Sequence, residues 1–175
     1  LVNSSTNVVS EFAPTFPKQS FGASYGRVRG SLELSGYFST PTPAAANAAS
    51  GQGFAPEVKF SRPSGAFVTN APFWLTLSNR LTNAEIRYVL GTNAPGTNSP
   101  LYTGPLRITN NTIVRARAFA PGLLPGPIDT RTYIALSAQT NIVNFKSDLP
   151  IMILHNFGRG AVPSGSDQFV VVQTF

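Results

Sequence analysis

Apolar and polar residues alternate along three stretches in the middle of the chain. The stretches are residues 84–91, 99–106 and 112–119, and residues typical of turns separate them. An alternation with a period of two places successive side chains on opposite faces of a strand, so each stretch can turn one face to a core and the other to solvent. Several short strands divided by turns are typical of a small β-sandwich. We therefore predict a sandwich domain over residues 59–136.

Two further stretches fit the same pattern. Residues 73–78 alternate large apolar side chains with Trp74 and two small polar residues, so Trp74 is predicted on the solvent face. Residues 132–136 predict a closing strand. Within residues 112–119, Arg115 and Arg117 share one face and apolar residues share the other. The predicted core consists of Leu75, Leu77, Ile86, Tyr88, Leu106, Ile108, Val114, Ala116, Ala118 and Tyr133.

The order and spacing of these strands resemble the chitobiase/β-hexosaminidase C-terminal Ig-like domain, an accessory module of secreted bacterial proteins. The resemblance extends over about residues 63–136. It departs from the family where an Asp-Gly turn often follows the strand that contains Tyr88, because Leu90-Gly91 occupies that place here. The resemblance implies an Ig-like sandwich without chemistry of its own, since the catalytic acids of those enzymes lie in a different domain.

Composition agrees with an all-β chain. The 175 residues include 15 glycines and 15 prolines, a frequency that opposes long helices. No window combines helical periodicity with good helix formers, and no apolar stretch approaches the length of a membrane span. The chain contains no cysteine, which excludes disulfides and zinc–thiolate sites. The predicted fold class is therefore an all-β, Ig-like β-sandwich with partial flanking β segments.

The N-terminal flank carries a second resemblance. Residues 24–27 (SYGR) and 40–47 (TPTPAAAN) are similar to the closing part of bacterial lamin-tail-like domains, with Ala44 where glycine is common. We therefore expect residues 1–47 to be the incomplete end of such a domain, with a strand at residues 7–12. The small, polar residues that follow, 48–58, predict a flexible linker.

The C-terminal flank, residues 137–175, carries a third resemblance. Its runs LPIMILHNFGRG (149–160) and FVVVQTF (169–175) each contain a predicted strand. They are similar to the segment that leads into CotH-type kinase domains of large secreted bacterial proteins, in which the order lamin-tail, chitobiase-C-like, CotH is common. The resemblance implies an incomplete start of a CotH-type region and a larger parent protein.

Residue types that carry chemistry are few and scattered. His155 is the only histidine, and one histidine without cysteine and with few carboxylates does not predict a metal site. The seven acidic residues suggest no paired carboxylates of the kind that glycosidases need. No Gly-rich phosphate loop is present. We predict no catalytic, cofactor-binding or metal-binding residues, and no enzyme activity.

Charge points to candidate contacts rather than to a defined ligand. The net charge is +6, but the basic residues are spread along the chain and lack the interleaved aromatic residues of a single-strand binder. We predict neither nucleic acid partners nor membrane insertion. Trp74 is the best candidate for an outward ring that stacks on a sugar, and Arg115 and Arg117 form a basic face with Arg107 nearby. Trp74, Arg115 and Arg117 are therefore the candidate carbohydrate or partner contacts. Core packing is the alternative explanation for the aromatic residue, and a solvated surface is the alternative for the two arginines.

Three functions fit these observations. The first is a non-catalytic extracellular or cell-surface spacer or adhesion module that contacts neighbouring domains of its own chain and binds polysaccharide weakly. The second rests on the apolar residues 169–175, whose strand edge invites strand addition from other copies, as in an extracellular fibre or surface layer. The third is a fragment of a CotH-type kinase-containing protein whose catalytic part lies beyond residue 175.

Overall fold

The fold consists of β-strands. The computed structural model describes residues 1–29, 34–47, 50–139, 141, 144–145, 148–149, 152–157 and 171–174. The strands of these residues are, in chain order, β1 Ser24–Arg27, β2 Ser35–Phe38, β3 Lys59–Phe60, β4 Gly65–Val68, β5 Phe73–Leu75, β6 Leu77–Ser78, β7 Glu85–Leu90, β8 Leu106–Ile108, β9 Thr112–Phe119, β10 Asp129–Leu136, β11 Met152–His155 and β12 Val171–Thr174. The predicted all-β class is confirmed.

The chain divides into two compact units. The first contains Leu1–Phe54 together with Gly122–Leu124. The second contains Ala55–Pro121 and Pro125–Phe175. The predicted sandwich therefore lies in the second unit, apart from three residues between β9 and β10.

The second unit contains a two-layered sandwich. One layer is a four-stranded sheet of order β4-β10-β9-β7, in which β4 is parallel to β10 and the other pairs are antiparallel. In the other layer a single residue, Thr76, separates β5 from β6. There β5 pairs with β8 and β6 pairs with β3, both antiparallel. The buried side chains of both layers form one core cluster, as an Ig-like sandwich requires.

The core matches the predicted alternation closely. Eight of the ten predicted residues are buried, and the other two, Tyr88 and Leu106, are half-buried and pack against the cluster. Three residues outside the prediction also belong to it, namely Phe67 on β4 and Ala55 and Val58. Ala55 and Val58 fall within the stretch 48–58 that composition predicts as a linker, where the alternating pattern of a strand is missing.

The strand predicted at residues 99–106 is wrong over most of its length. Only Leu101 forms a bridge, with Arg87 on β7, and β8 begins at Leu106. Backbone bonds of 3.1 Å from Tyr88 N to Pro100 O and 2.8 Å from Tyr102 N to Ile86 O hold this short segment along β7. Prolines at positions 100 and 105 lack the N–H groups that a longer ladder needs.

The first unit is held by a hairpin and by aromatic side chains. β1 and β2 pair antiparallel, with Tyr25 opposite Tyr37 and their ring centroids 4.9 Å apart. Asn47 Nδ2 donates to the carbonyl oxygen of Arg27 at 3.1 Å, so the SYGR and TPTPAAAN stretches contact each other. The strand predicted at residues 7–12 is not formed, because its backbone makes only a single bridge, between Val8 and Val2.

The C-terminal segment of the second unit contains the two strands predicted there. β11 and β12 pair antiparallel, with Met152 opposite Thr174 and His155 opposite Val171. The described part of the 169–175 stretch therefore has a partner on one edge. Residues 169, 170 and 175 of that stretch lie outside the described residues.

Candidate ligand-binding site

The three predicted contact residues lie on two different layers of the sandwich. Trp74 is on β5, between inward-facing Phe73 and Leu75, and its side chain is 63% exposed. Arg115 and Arg117 are on β9 of the four-stranded sheet, on the face opposite the core residues Ala116 and Ala118. The outward direction of Trp74 is confirmed, but the three residues do not form one site.

The basic face of the four-stranded sheet carries a third arginine. Arg87 on β7 lies directly opposite Arg117, and the next outward residue of β9, Arg115, lies opposite Val89. Like charges directly opposite each other on a sheet are destabilising. Arg87 Nη2 lies 2.6 Å from the carboxylate oxygen of Glu85, so one of the three charges is paired.

Each of these arginines also donates to a backbone carbonyl of a loop. Arg117 Nε donates to Gly126 O at 2.6 Å, and Arg87 Nη1 donates to Ser99 O at 3.0 Å. Arg115 Nη1 donates to Thr92 O. All three side chains are half-buried, and burial lowers the pKa of Arg117 from its usual value. We call Arg87, Arg115 and Arg117 the anchored arginines, because they hold three loops against the sheet.

Arg107 is placed differently. The sequence places it near Arg115 and Arg117, but it lies on β8 in the other layer, opposite Trp74. The reason is that the chain passes from one layer to the other between β8 and β9, at residues 109–111. Its guanidinium carbon is 6.0 Å from the centroid of the Trp74 ring, at the outer limit of a cation–π contact. We call these two residues the Trp74–Arg107 pair.

Arg107 keeps its hydrogen-bonding capacity for solvent or a ligand. It is exposed, and nothing in the described part of the chain forms a hydrogen bond or an ion pair with its side chain. A guanidinium carries five N–H donors in a planar fork, which matches a carboxylate or sulfate group. The alternation Leu106, Arg107, Ile108 in the sequence indicates that Arg107 points outward. The sequence does not indicate that Trp74 is its neighbour.

An open cleft of about 760 Å³ adjoins Arg107. Its lining consists of Leu90, Gly91, Thr92, Pro105, Leu106, Arg107, Ile108, Thr109, Asn110, Asn111, Thr112, Ile113 and Phe157. Arg107 is the one charged residue in this lining, which is otherwise rich in hydroxyl and amide groups. The lining of the cleft therefore combines one positive charge with hydroxyl, amide and apolar side chains.

Two contacts fix the walls of this cleft. Asn111 Oδ1 accepts a hydrogen bond from Ala135 N at 2.7 Å, which holds the turn between β8 and β9 against β10. The bond from Arg115 to Thr92 O holds the loop after β7, where Gly91 has a φ of +130° that other residues rarely adopt. Sequence reasoning missed the cleft, because residues from three separate parts of the chain line it, namely 90–92, 105–113 and Phe157.

The remaining candidates for chemistry have structural contacts. The Asp129 carboxylate accepts a hydrogen bond from Val58 N at 2.8 Å. His155 is half-buried, with its Nε2 2.9 Å from Asn111 Nδ2 and its ring 4.8 Å from that of Phe157. Among the described residues, no three His, Asp or Glu side chains are grouped so as to hold a metal ion. The same residues contain no helix that is long and apolar enough to cross a membrane.

The central part of the chain matches a known protein family. Residues 75–133, about a third of the chain, match the model of the Fn3 associated family. This match agrees with the Ig- or fibronectin-like sandwich seen in the second unit, and it includes Arg107 and the anchored arginines. It does not extend to residues 1–74 or 134–175. Searches of curated proteins and of solved structures found no match.

Proposed function

We propose that this chain is a non-catalytic module of a large secreted or surface-attached bacterial protein, in which it spaces neighbouring domains and adheres to polysaccharide. The match of residues 75–133 to the Fn3 associated family supports an Ig-like accessory module. The finer assignment, to a chitobiase C-terminal-like domain between a lamin-tail-like end and a CotH-type start, belongs to the same proposal and rests on the resemblances of the sequence.

A spacer role agrees with the way in which the sandwich uses its polar groups. Its core is filled by apolar side chains from both layers. Asp129 and Glu85, the carboxylates of its strands, bind a backbone N–H and an arginine respectively. Groups committed to holding loops and strands favour a rigid scaffold over a catalytic centre.

The observation that supports the proposed adhesion to polysaccharide is the exposed ring of Trp74. Burying a large apolar side chain contributes about 1.5–3 kcal/mol, a gain that this outward indole largely forgoes. Aromatic rings with one open face are suited to stacking on the apolar face of a sugar ring, and tryptophan offers the largest such surface. An exposed tryptophan on a rigid strand is therefore a suitable contact for polysaccharide.

Affinity electrophoresis against a panel of neutral and acidic polysaccharides tests this proposal. We expect the chain to be retarded by at least one polymer without releasing any product from it, and Trp74→Ala to abolish the retardation. Phe21→Ala is the matched control, because it removes a fully exposed aromatic ring elsewhere in the chain. Polymer hydrolysis or ATP turnover by this chain would contradict the non-catalytic assignment, and unretarded migration in every gel would contradict adhesion.

A second candidate function is assembly by strand addition. β11 and β12 form a two-stranded sheet, and no further strand pairs with either of them in the described residues. Open edges of this kind accept strands from other chains. Analytical ultracentrifugation over a wide concentration range tests it: ordered polymers support a fibre or surface-layer subunit, and a monomer at every concentration contradicts it.

A further inference from the structure

The Trp74–Arg107 pair and the adjoining cleft have the composition of a site for one class of polymer. We propose that they bind an acidic polysaccharide, with a sugar ring stacked on Trp74, its neighbouring carboxylate or sulfate on Arg107, and further hydroxyl groups in the cleft. This inference rests on the proposed adhesion function and names its ligand class.

The charge of the site selects an acidic ligand. Arg107 is the one charged residue of the cleft lining, and no carboxylate neutralises it among the described residues. A planar guanidinium with free donors binds a carboxylate or sulfate through two parallel hydrogen bonds. The net charge of the chain, +6, attracts polyanions over longer distances.

The size and lining of the cleft suit a carbohydrate. Its volume of about 760 Å³ lies within the range of sites for small organic ligands. Thr92, Thr109 and Asn110 line it with hydroxyl and amide groups that can bind sugar hydroxyls. Asn110 is exposed, and its side chain makes no hydrogen bond within the described residues.

The walls of the site are held in place before a ligand binds. Asn111 is committed to Ala135 N, and Arg115 is committed to Thr92 O. Arg115 therefore acts as a positioning residue for the cleft rather than as a ligand contact. The paired strands β5 and β8 hold the backbones of Trp74 and Arg107 opposite each other, so little backbone conformational entropy is lost when the site is occupied.

Intrinsic fluorescence measures binding at this position directly, because Trp74 is the single tryptophan of the chain. Polygalacturonate serves as the acidic polymer and dextran of similar length as the neutral one. We expect polygalacturonate to shift and saturate the emission of the intact chain, and dextran to leave it unchanged. Arg107→Gln should weaken the affinity about tenfold, the loss expected for a charge-assisted contact.

Two variants separate a built site from general attraction between charges. Arg80→Gln removes the same charge from an exposed position outside the cleft lining, and should weaken the affinity much less than Arg107→Gln does, because it lowers only the net charge. Arg107→Lys keeps the charge without the planar fork, and should restore only part of the affinity. Equal losses for Arg80→Gln and Arg107→Gln would overturn the proposed site.

The same titrations distinguish failure of this inference from failure of the adhesion function. Saturable binding of dextran that Arg107→Gln leaves intact would retain adhesion through Trp74 and overturn the acidic ligand class. An unchanged emission with both polymers, together with unretarded migration in all affinity gels, would overturn both.

Discussion

The two outer faces of the sandwich use the same residue type in opposite ways. On the four-stranded sheet, the anchored arginines are half-buried, and each donates to the carbonyl of a loop. On the other layer, Arg107 is exposed beside Trp74 and has no hydrogen-bonding partner among the described residues. An arginine therefore stabilises the fold where loops cover it, and is available to bind a ligand where the strand surface stays open.

The physical basis of this difference is solvation. A half-buried guanidinium has lost part of its water shell, and the loop carbonyls replace that water. An exposed guanidinium keeps its water and adds little to stability until a ligand displaces the water. The same arginine substitution should therefore lower the free energy of unfolding more on the four-stranded sheet than on the other layer.

Outside the apolar core, the largest effect is expected at the loop that Arg117 holds. A Cβ at position 126 would lie 2.6 Å from the carbonyl oxygen of Ala55, so Gly126→Ala must displace backbone. We expect a loss of about 2–3 kcal/mol in the free energy of unfolding, measured by urea denaturation. Gly104→Ala is the control, since a Cβ there meets no atom within 4 Å, and it should change stability by less than about 0.5 kcal/mol. A tolerated Gly126→Ala would mean that this loop does not pack tightly against the backbone of Ala55.

Arginine-to-methionine substitutions compare the two faces directly. Arg117→Met removes the charged donor from the buried Gly126 residue, and should cost about 1.5–2 kcal/mol. Arg107→Met removes the same group from the exposed layer, and should change the free energy of unfolding by less than about 0.5 kcal/mol. Similar losses for both variants would remove the distinction between anchored and available arginines.

Tyr133 is a buried core residue, and its hydroxyl group tests how much a hydrogen bond in the core stabilises the fold. Its hydroxyl donates to Arg62 O at 2.8 Å, and burial raises its pKa to about 12 from the ordinary value of 10. A raised pKa means that the neutral form is favoured in the folded state, so this stabilisation is complete below about pH 10 and is lost as the pH rises towards 12. Tyr133→Phe should cost about 1 kcal/mol at neutral pH. Denaturation from pH 8 to 12 should show the alkaline loss in the parent chain and a smaller loss in the variant; parallel curves would contradict the assignment.

The smallest effect on stability is expected at Trp74. Because its ring is 63% exposed, Trp74→Ala should change the free energy of unfolding by less than about 0.5 kcal/mol while it removes the proposed polysaccharide contact. Phe67→Ala, at a buried aromatic residue on β4, should cost about 3–5 kcal/mol in the same assay. A loss for Trp74→Ala close to that of Phe67→Ala would assign the indole to packing.

Much of the fold follows from alternation within single strands. Residues 73–78 and 112–119 show in the sequence which side chains face inward, and the structure buries the core residues predicted there, Leu75, Leu77, Val114, Ala116 and Ala118. The strand prediction failed at residues 7–12 and 99–106, where the sequence alternates like a strand but the backbone forms no continuous ladder with a neighbouring strand. The core prediction missed Ala55 and Val58, which follow no strand pattern. Local pattern reports the direction of a side chain, but pairing depends on backbone groups that other segments provide.

The candidate site divides in the same way. The outward positions of Trp74, Arg107, Arg115 and Arg117 could all be read from the sequence, because a period of two decides the face of a strand. Which of them are neighbours depended on the tertiary structure, since β8 and β9 follow each other along the chain but lie in different layers. The partners of the anchored arginines are backbone carbonyls, which every residue carries, so no residue type marks them in advance. Only the folded arrangement of the loops therefore separates the arginines that hold the structure from Arg107, which is left open beside Trp74.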